Sequence, residues 1–138
     1  MAMSTVSGRV LVAGRAAGTL LRLAAPISFW GGVDAMSGRI TDPRHPDHDS
    51  EISGRVLAIA ETIGSSSSSA VMLELLRNGH APAALLLGRM DAILTLGVVV
   101  GGEMGYGTIP VLEIGADGIA ALPARGMARI AEDGQIIL

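Results

Sequence analysis

The segment GSSSSSAV, residues 64–71, places five consecutive serines behind a glycine and ahead of an apolar run. Serine hydroxyls can cap a helix, hold an anion, or act as a base once strong local electrostatics stabilise the alkoxide. The preceding GRVLAIAET reads as a strand and the following SAVMLELLRNGHAP as an amphipathic helix. A strand feeding a helix through a Gly/Ser turn gathers unpaired backbone N–H groups at the positive end of the helix dipole. Such a pocket suits a carboxylate or phosphate and lowers the cost of a developing alkoxide. Simple capping accounts for one serine but not for its companions. A flexible linker fails on context, because neither side is an independent domain. The residues alone leave capping and an anion site both open.

Other constellations carry less. No Gly-Lys-Ser/Thr follows the glycine and the chain has no lysine, which excludes a P-loop. A Ser–His–Asp hydrolase is disfavoured because no G-x-S-x-G elbow is present, although His45, His48 and His80 exist. Asp42, His45, Asp47, His48 and Asp49 mimic a ligand cluster, but Pro43 and Pro46 stiffen the segment and no second cluster joins it. A solvated loop is expected there, with no metal bound. Asp34 and Arg39 flank the turn AMSG, as a local ion pair or as groups presented beside the serine pocket. Asp91 is placed as the N-cap of a second helix, and Glu103 on an exposed face.

The elements that position the serines follow from periodicity and turn chemistry. GRVLVAG (8–14) reads as a strand, LLRLAAPISFWGGV (20–33) as a second extended segment, and residues 34–54 as a long surface loop. Val71, Met72, Leu75 and Leu76 stripe the first helix, Gly79 ends it as a left-handed cap, and Pro82 blocks continuation. ALLLG (84–88) is a buried strand, DAILTLGVVVGGEMG a second helix, and PVLEI (110–114) another strand. MARIAEDGQIIL is a hairpin around Asp133-Gly134. The expectation is a single α/β domain over residues 1–138, with a mixed sheet, two main helices, and hairpin-like pairs at both ends.

The chain has 138 residues, 49% of them hydrophobic, yet one Phe, one Trp and one Tyr, so an aliphatic core is required. A net charge of −3 without a basic cluster argues against nucleic acid. The absence of cysteine removes disulfides and thiolate ligands for zinc or iron–sulfur clusters. No segment reads as a bilayer span, and the start, MAMSTVSGRV, lacks a secretion layout. A soluble cytoplasmic protein is expected.

FWGGVDAMSGRITDPRHP (29–46), SGRVL (53–57), GSSSSS (64–69), LELLRNGHAPAAL (73–85), ILTLGVVV (93–100) and TIPVL (108–112), taken in order, resemble the swivel-domain, or small-subunit, half of the aconitase X family. The resemblance implies a swivelling β/β/α domain and a hydro-lyase that removes water from a hydroxylated carboxylic acid. It also implies a large partner subunit that carries an iron–sulfur cluster, this chain itself binding no cofactor. Ser65 becomes the expected proton acceptor, with Gly64, Ser66 and Ser67 holding the substrate carboxylate or orienting the base. The family's usual Gly-Arg-Gly-Ser is here TIGS, with Ile63 in the arginine's place and Ala60 in that of an upstream proline. Two substrates go with the family, cis-3-hydroxy-L-proline in bacterial members and mevalonate 5-phosphate in archaeal ones. FWGGVD, ILTLGV and the lysine-free, Ala/Arg-rich composition favour the first. Against the enzyme subunit stand a non-catalytic carboxylate-binding or regulatory module and a purely structural assembly piece. An exposed apolar patch is expected where a partner docks, and homo-oligomers through that patch when the chain is isolated.

Overall fold

The structure, a computed structural model, describes residues 4–138; the first three residues of the MAMSTVSGRV start lie outside the described residues. In chain order its strands are β1 (Thr5–Ser7), β2 (Arg9–Val12), β3 (Ala16–Arg22), β4 (Val33–Asp34), β5 (Arg39–Ile40), β6 (Val56–Ile59), β7 (Ala84–Leu87), β8 (Val111–Glu113), β9 (Met127–Ile130) and β10 (Gln135–Ile137). Its helices are α1 (Phe29–Gly32), α2 (Ser68–Asn78), α3 (Ala92–Glu103) and α4 (Gly115–Ala121).

Strands β3, β6, β7 and β8 lie side by side and parallel. Every residue of β6 and β7 is buried, the pattern of strands covered on both faces. On one face Leu57, Ile59, Leu85 and Leu87 pack with Met72 and Leu75 of α2 and Leu94 and Val98 of α3. On the other, Val56, Ala58, Ala84 and Leu86 meet Ala128, Ile130 and Ile136 of the second β layer and Ile119 after β8. Each fully buried aliphatic side chain contributes about 1.5–3 kcal/mol. The outcome is a β/β/α stack.

The eight-stranded order β1-β10-β9-β3-β6-β7-β8-β2 sets β1 and β2 at opposite edges, yet Gly8 alone separates them in the chain. Two edges joined by one residue must lie within a few ångströms, so the sheet curls until they meet. The Gly8 N–H donates to Gly134 O at 3.0 Å, and a Cβ at Gly8 would lie 2.8 Å from Ile114 Cγ2.

Several expectations needed correction. The second extended segment is β3, which begins earlier and ends before Pro26, followed by the short α1. The N-terminal strands form no hairpin, since β2 pairs with β8 and β3 with β9 and β6. Residues 34–54 are no open surface loop: β4 and β5 form a ribbon, and Ile40, Ile52 and His45 are buried. Helix α4 was not foreseen, because GADGIAA is too short and glycine-rich to show a helical stripe. The C-terminal hairpin, β7, β8, α2 with Gly79 at φ 75°, and α3 stand where expected.

Helices α2 and α3 touch at Gly97, where a Cβ would lie 2.6 Å from Ser69 O and 3.0 Å from Met72 Cβ. Because Ser69 O belongs to backbone, Gly97→Ala must push α3 away from the first turn of α2. A loss of about 1–3 kcal/mol in urea denaturation is expected; unchanged stability would show that the helices separate freely.

Candidate active site

Strand β6 ends at Ile59 and the chain reaches α2 through residues 60–67. Ile63 N–H donates to Ile27 O at 2.9 Å, and Ile27 bridges to Thr62, so the segment after β3 supports the approach to the glycine. The Thr62 hydroxyl donates to Asp91 Oδ2 at 2.7 Å, while Asp91 Oδ1 accepts from Leu94 N–H at 3.0 Å. Asp91 thus caps α3, as its sequence position indicated, and also hooks the serine turn to that helix. Glu113, at the end of β8, accepts from Met90 N–H at 2.7 Å and pairs with Arg9 at 2.9 Å. Sequence reasoning missed Glu113; its place as the one acid closing an apolar strand was the available signal.

Ser65 is half-buried, and its Oγ accepts from Ser67 N–H at 3.3 Å. Ser65 O accepts from Ser68 N–H at 3.1 Å and Ser67 O from Val71 N–H at 3.2 Å, which starts the helical ladder. Ser67 occupies the N-cap position without a side-chain capping bond. The N–H groups of Ser69 and Ala70 have no acceptor among the described residues, so the first turn keeps free donors beside the dipole's positive end. Capping of the first turn is therefore only partial. Ser66 is exposed and Ser68 buried.

Gly64 lines a cleft of about 310 Å³ with Thr62, Met90, Asp91 and Ile93. Ser65, Ser66 and Ser67 stand beside that cleft and are not part of its wall. The Glu61–Arg89 pair at its rim is long, 3.8 Å, and exposed, so it contributes little. Apolar side chains stand in solvent around and beyond the turn, with Ile63 56%, Met90 45%, Ile93 37% and Leu96 54% exposed.

The remaining candidates take structural roles. His45 Nδ1 accepts from Asp47 N–H at 3.0 Å, so the proton sits on Nε2, which donates to Ala25 O at 3.0 Å. Asp47 Oδ2 accepts from Ala24 N–H and Asp42 Oδ1 from Arg44 N–H. His45 and Asp47 pin their loop to the residues just after β3, and Asp42 closes a turn within the loop. Among the described residues no three His, Cys, Asp or Glu side chains are grouped to hold a metal. The Ser53 hydroxyl lies 3.2 Å from His80 Nδ1, but no carboxylate lies within ion-pair distance of His80 among the described residues, so no triad forms.

Asp34 and Arg39 face each other across the ribbon without an ion pair: Arg39 donates to Asp49 O, and Asp34 accepts from Ser37 Oγ at 2.7 Å and Met36 N–H at 3.1 Å. Asn78, at the last turn of α2, donates to Ala35 O. The AMSG turn therefore sits a helix length, about 16 Å, from the serines, which removes both readings given to this pair.

The Ser37 hydroxyl, then the Met36 N–H, hold the Asp34 carboxyl below its ordinary value of 3.8. The resulting stabilisation is present above that ordinary value and is lost as pH falls through the lowered one. Ser37→Ala should raise the Asp34 midpoint in a carboxyl NMR titration; an unmoved midpoint would reject this cause. Asp91→Ala should lower unfolding free energy by about 1–2 kcal/mol through loss of the cap, and Asp91→Asn by less.

Residues 5–138 match the family model of the aconitase X swivel domain. The chain is 44% identical over 132 residues to a cis-3-hydroxy-L-proline dehydratase of Pseudomonas aeruginosa, covering 94% of this chain and 22% of that protein. It is 37% identical over 97 residues to a phosphomevalonate dehydratase small subunit of Thermococcus onnurineus, covering 70% of this chain and 75% of that protein. A crystal structure of Thermococcus kodakaraensis aconitase X in its holo form matches with a TM-score of 0.85 at 29% identity, over 98% of both chains. By the family-model match this chain, a β/β/α fold whose serine turn opens a helix at the carboxyl edge of its parallel sheet, belongs to the aconitase X swivel-domain family. It spans about a fifth of the length of the hydroxyproline dehydratases it matches.

Proposed function

We propose that the chain is the swivel module, a single unit, of a cytoplasmic hydro-lyase that removes water from cis-3-hydroxy-L-proline in company with a larger catalytic partner. The observation that carries this reading is the 44% identity to a hydroxyproline dehydratase across almost the whole chain. Ser65 is the base in this reading. Its Oγ takes the proton from the carbon bearing the carboxylate, the hydroxyl on the neighbouring carbon leaves as water with a proton from the partner, and a carbon–carbon double bond forms. The Ser67 N–H already points at Ser65 Oγ and stabilises the alkoxide, which is the help a serine needs to act as a base. The free N–H groups of Ser69 and Ala70 suit the substrate carboxylate, with Gly64, Ser66 and Ser67 shaping its approach.

An iron–sulfur cluster does not fit this chain, which has no cysteine and no metal-binding group among the described residues. We assign it to the partner, and nothing in the role of Ser65 runs through it. The exposed Met90, Ile93 and Leu96 beside the serine turn suit a surface that the partner covers.

The second reading, a phosphomevalonate dehydratase small subunit, is favoured by the match that covers 75% of such a protein. Co-expression with the partner and an assay of water loss from both substrates separates the two. Ser65→Ala should lower turnover about 10²–10⁴-fold with an unchanged melting temperature. Full activity in Ser65→Ala would reject the serine assignment, and turnover of mevalonate 5-phosphate alone would reject the hydroxyproline assignment.

A further inference from the structure

A second cleft, of about 400 Å³, is lined by Arg22, Arg55 and Arg125 with Leu21, Asp47 and Ser50. It shares no lining residue with the cleft beside the serine turn. β9 pairs with β3 as far as Thr19, and Leu20 N–H still donates to Gly126 O at 2.7 Å, which holds the loop bearing Arg125 beside β3; the pinned loop bearing Asp47 and Ser50 completes the wall.

The charge in this cleft is unbalanced. None of the three arginines pairs with a carboxylate among the described residues. Asp47 is the one acid in the wall, and its Oδ2 is already engaged by Ala24 N–H at 2.8 Å. His45, 3.9 Å from Asp47, is not part of the wall. Arg22 is held rigidly, Nη1 donating to Leu122 O at 2.7 Å and to Ile119 O and Ala120 O at 3.4 Å. Its Nη2 and Nε keep no partner among the described residues. Arg55 makes one long bond to Glu51 O at 3.5 Å, and Arg125 makes none among the described residues. Three guanidinium groups against one carboxylate leave two positive charges, which a dianion neutralises and a monocarboxylate does not.

We propose that this cleft binds the phosphoryl group of a small phosphate monoester. Arg22 is the fixed donor, and Arg55 and Arg125 close from the two loops. The site stands independently of the dehydratase reading, because its test reads binding and not turnover.

The experiment titrates the isotope-labelled full chain with glycerol 3-phosphate, inorganic phosphate or acetate at constant ionic strength, following backbone amide shifts. Saturable shifts at Arg22, Arg55 and residues 124–126 are expected with the ester, and none that saturate with acetate. Arg125→Gln, an exposed position, should weaken ester binding about tenfold, and the Arg55→Gln/Arg125→Gln pair should abolish it while melting stays cooperative. Non-saturating shifts, shifts confined to residues 64–70, or equal binding by Arg125→Gln would overturn the site. Inorganic phosphate binding as tightly as the ester would overturn the ester assignment and leave free phosphate as the ligand.

Discussion

Four short parallel strands, the central two of them, β6 and β7, buried on both faces, govern this molecule. Parallel neighbours cannot be joined by tight turns, so each must be reached by a crossover, and two of those crossovers are α2 and α3. Both helices lie on one face, while the second β layer and α4 cover the other. The carboxyl ends of β6 and β7 therefore open side by side, with a helix N-terminus following each. Open α/β sheets place ligands at such edges. The serine turn owes its position to that burial more than to any residue within it.

The proposed chemistry uses what this edge supplies. A serine hydroxyl is an unfavourable base in water, and only fixed donors that need no reorganisation can change that. Here they are backbone N–H groups, whose direction is set by the helix, and the helix is set by Met72 and Leu75 in the core. Asp91 joins the two sides of the cleft: one oxygen caps α3 and the other holds Thr62, three positions before Ser65. The Gly97 contact keeps α3 against the first turn of α2. Polar hooks and close backbone packing together hold a turn that carries few apolar contacts of its own.

Much of this was legible in the sequence. The strand, glycine, serine run and apolar stripe of residues 55–79 announce strand, turn and helix, and Asp91 reads as a cap because an apolar run follows it. What escaped reading depends on distant partners. GRVLVAG reads as a strand while Thr5–Ser7 shows no strand signal of its own, and nothing local says that β1 and β2 lie at opposite edges of a curled sheet. His45, Asp47 and Asp49 look like ligands until the fold brings Ala24 and Ala25 to two of them. The convergence of Arg22, Arg55 and Arg125 is invisible along the chain, since each sits in a different segment.

In the proposed reaction the decisive step is removal of a substrate proton by Ser65. Cis-3-hydroxy-L-proline deuterated at the carboxylate-bearing carbon, incubated with the assembled enzyme, reports that step alone through release of deuterium to water. Release should vanish in Ser65→Ala and persist in Ser66→Ala. Release at the unaltered rate in Ser65→Ala would contradict the account, since the proton would then leave through another group.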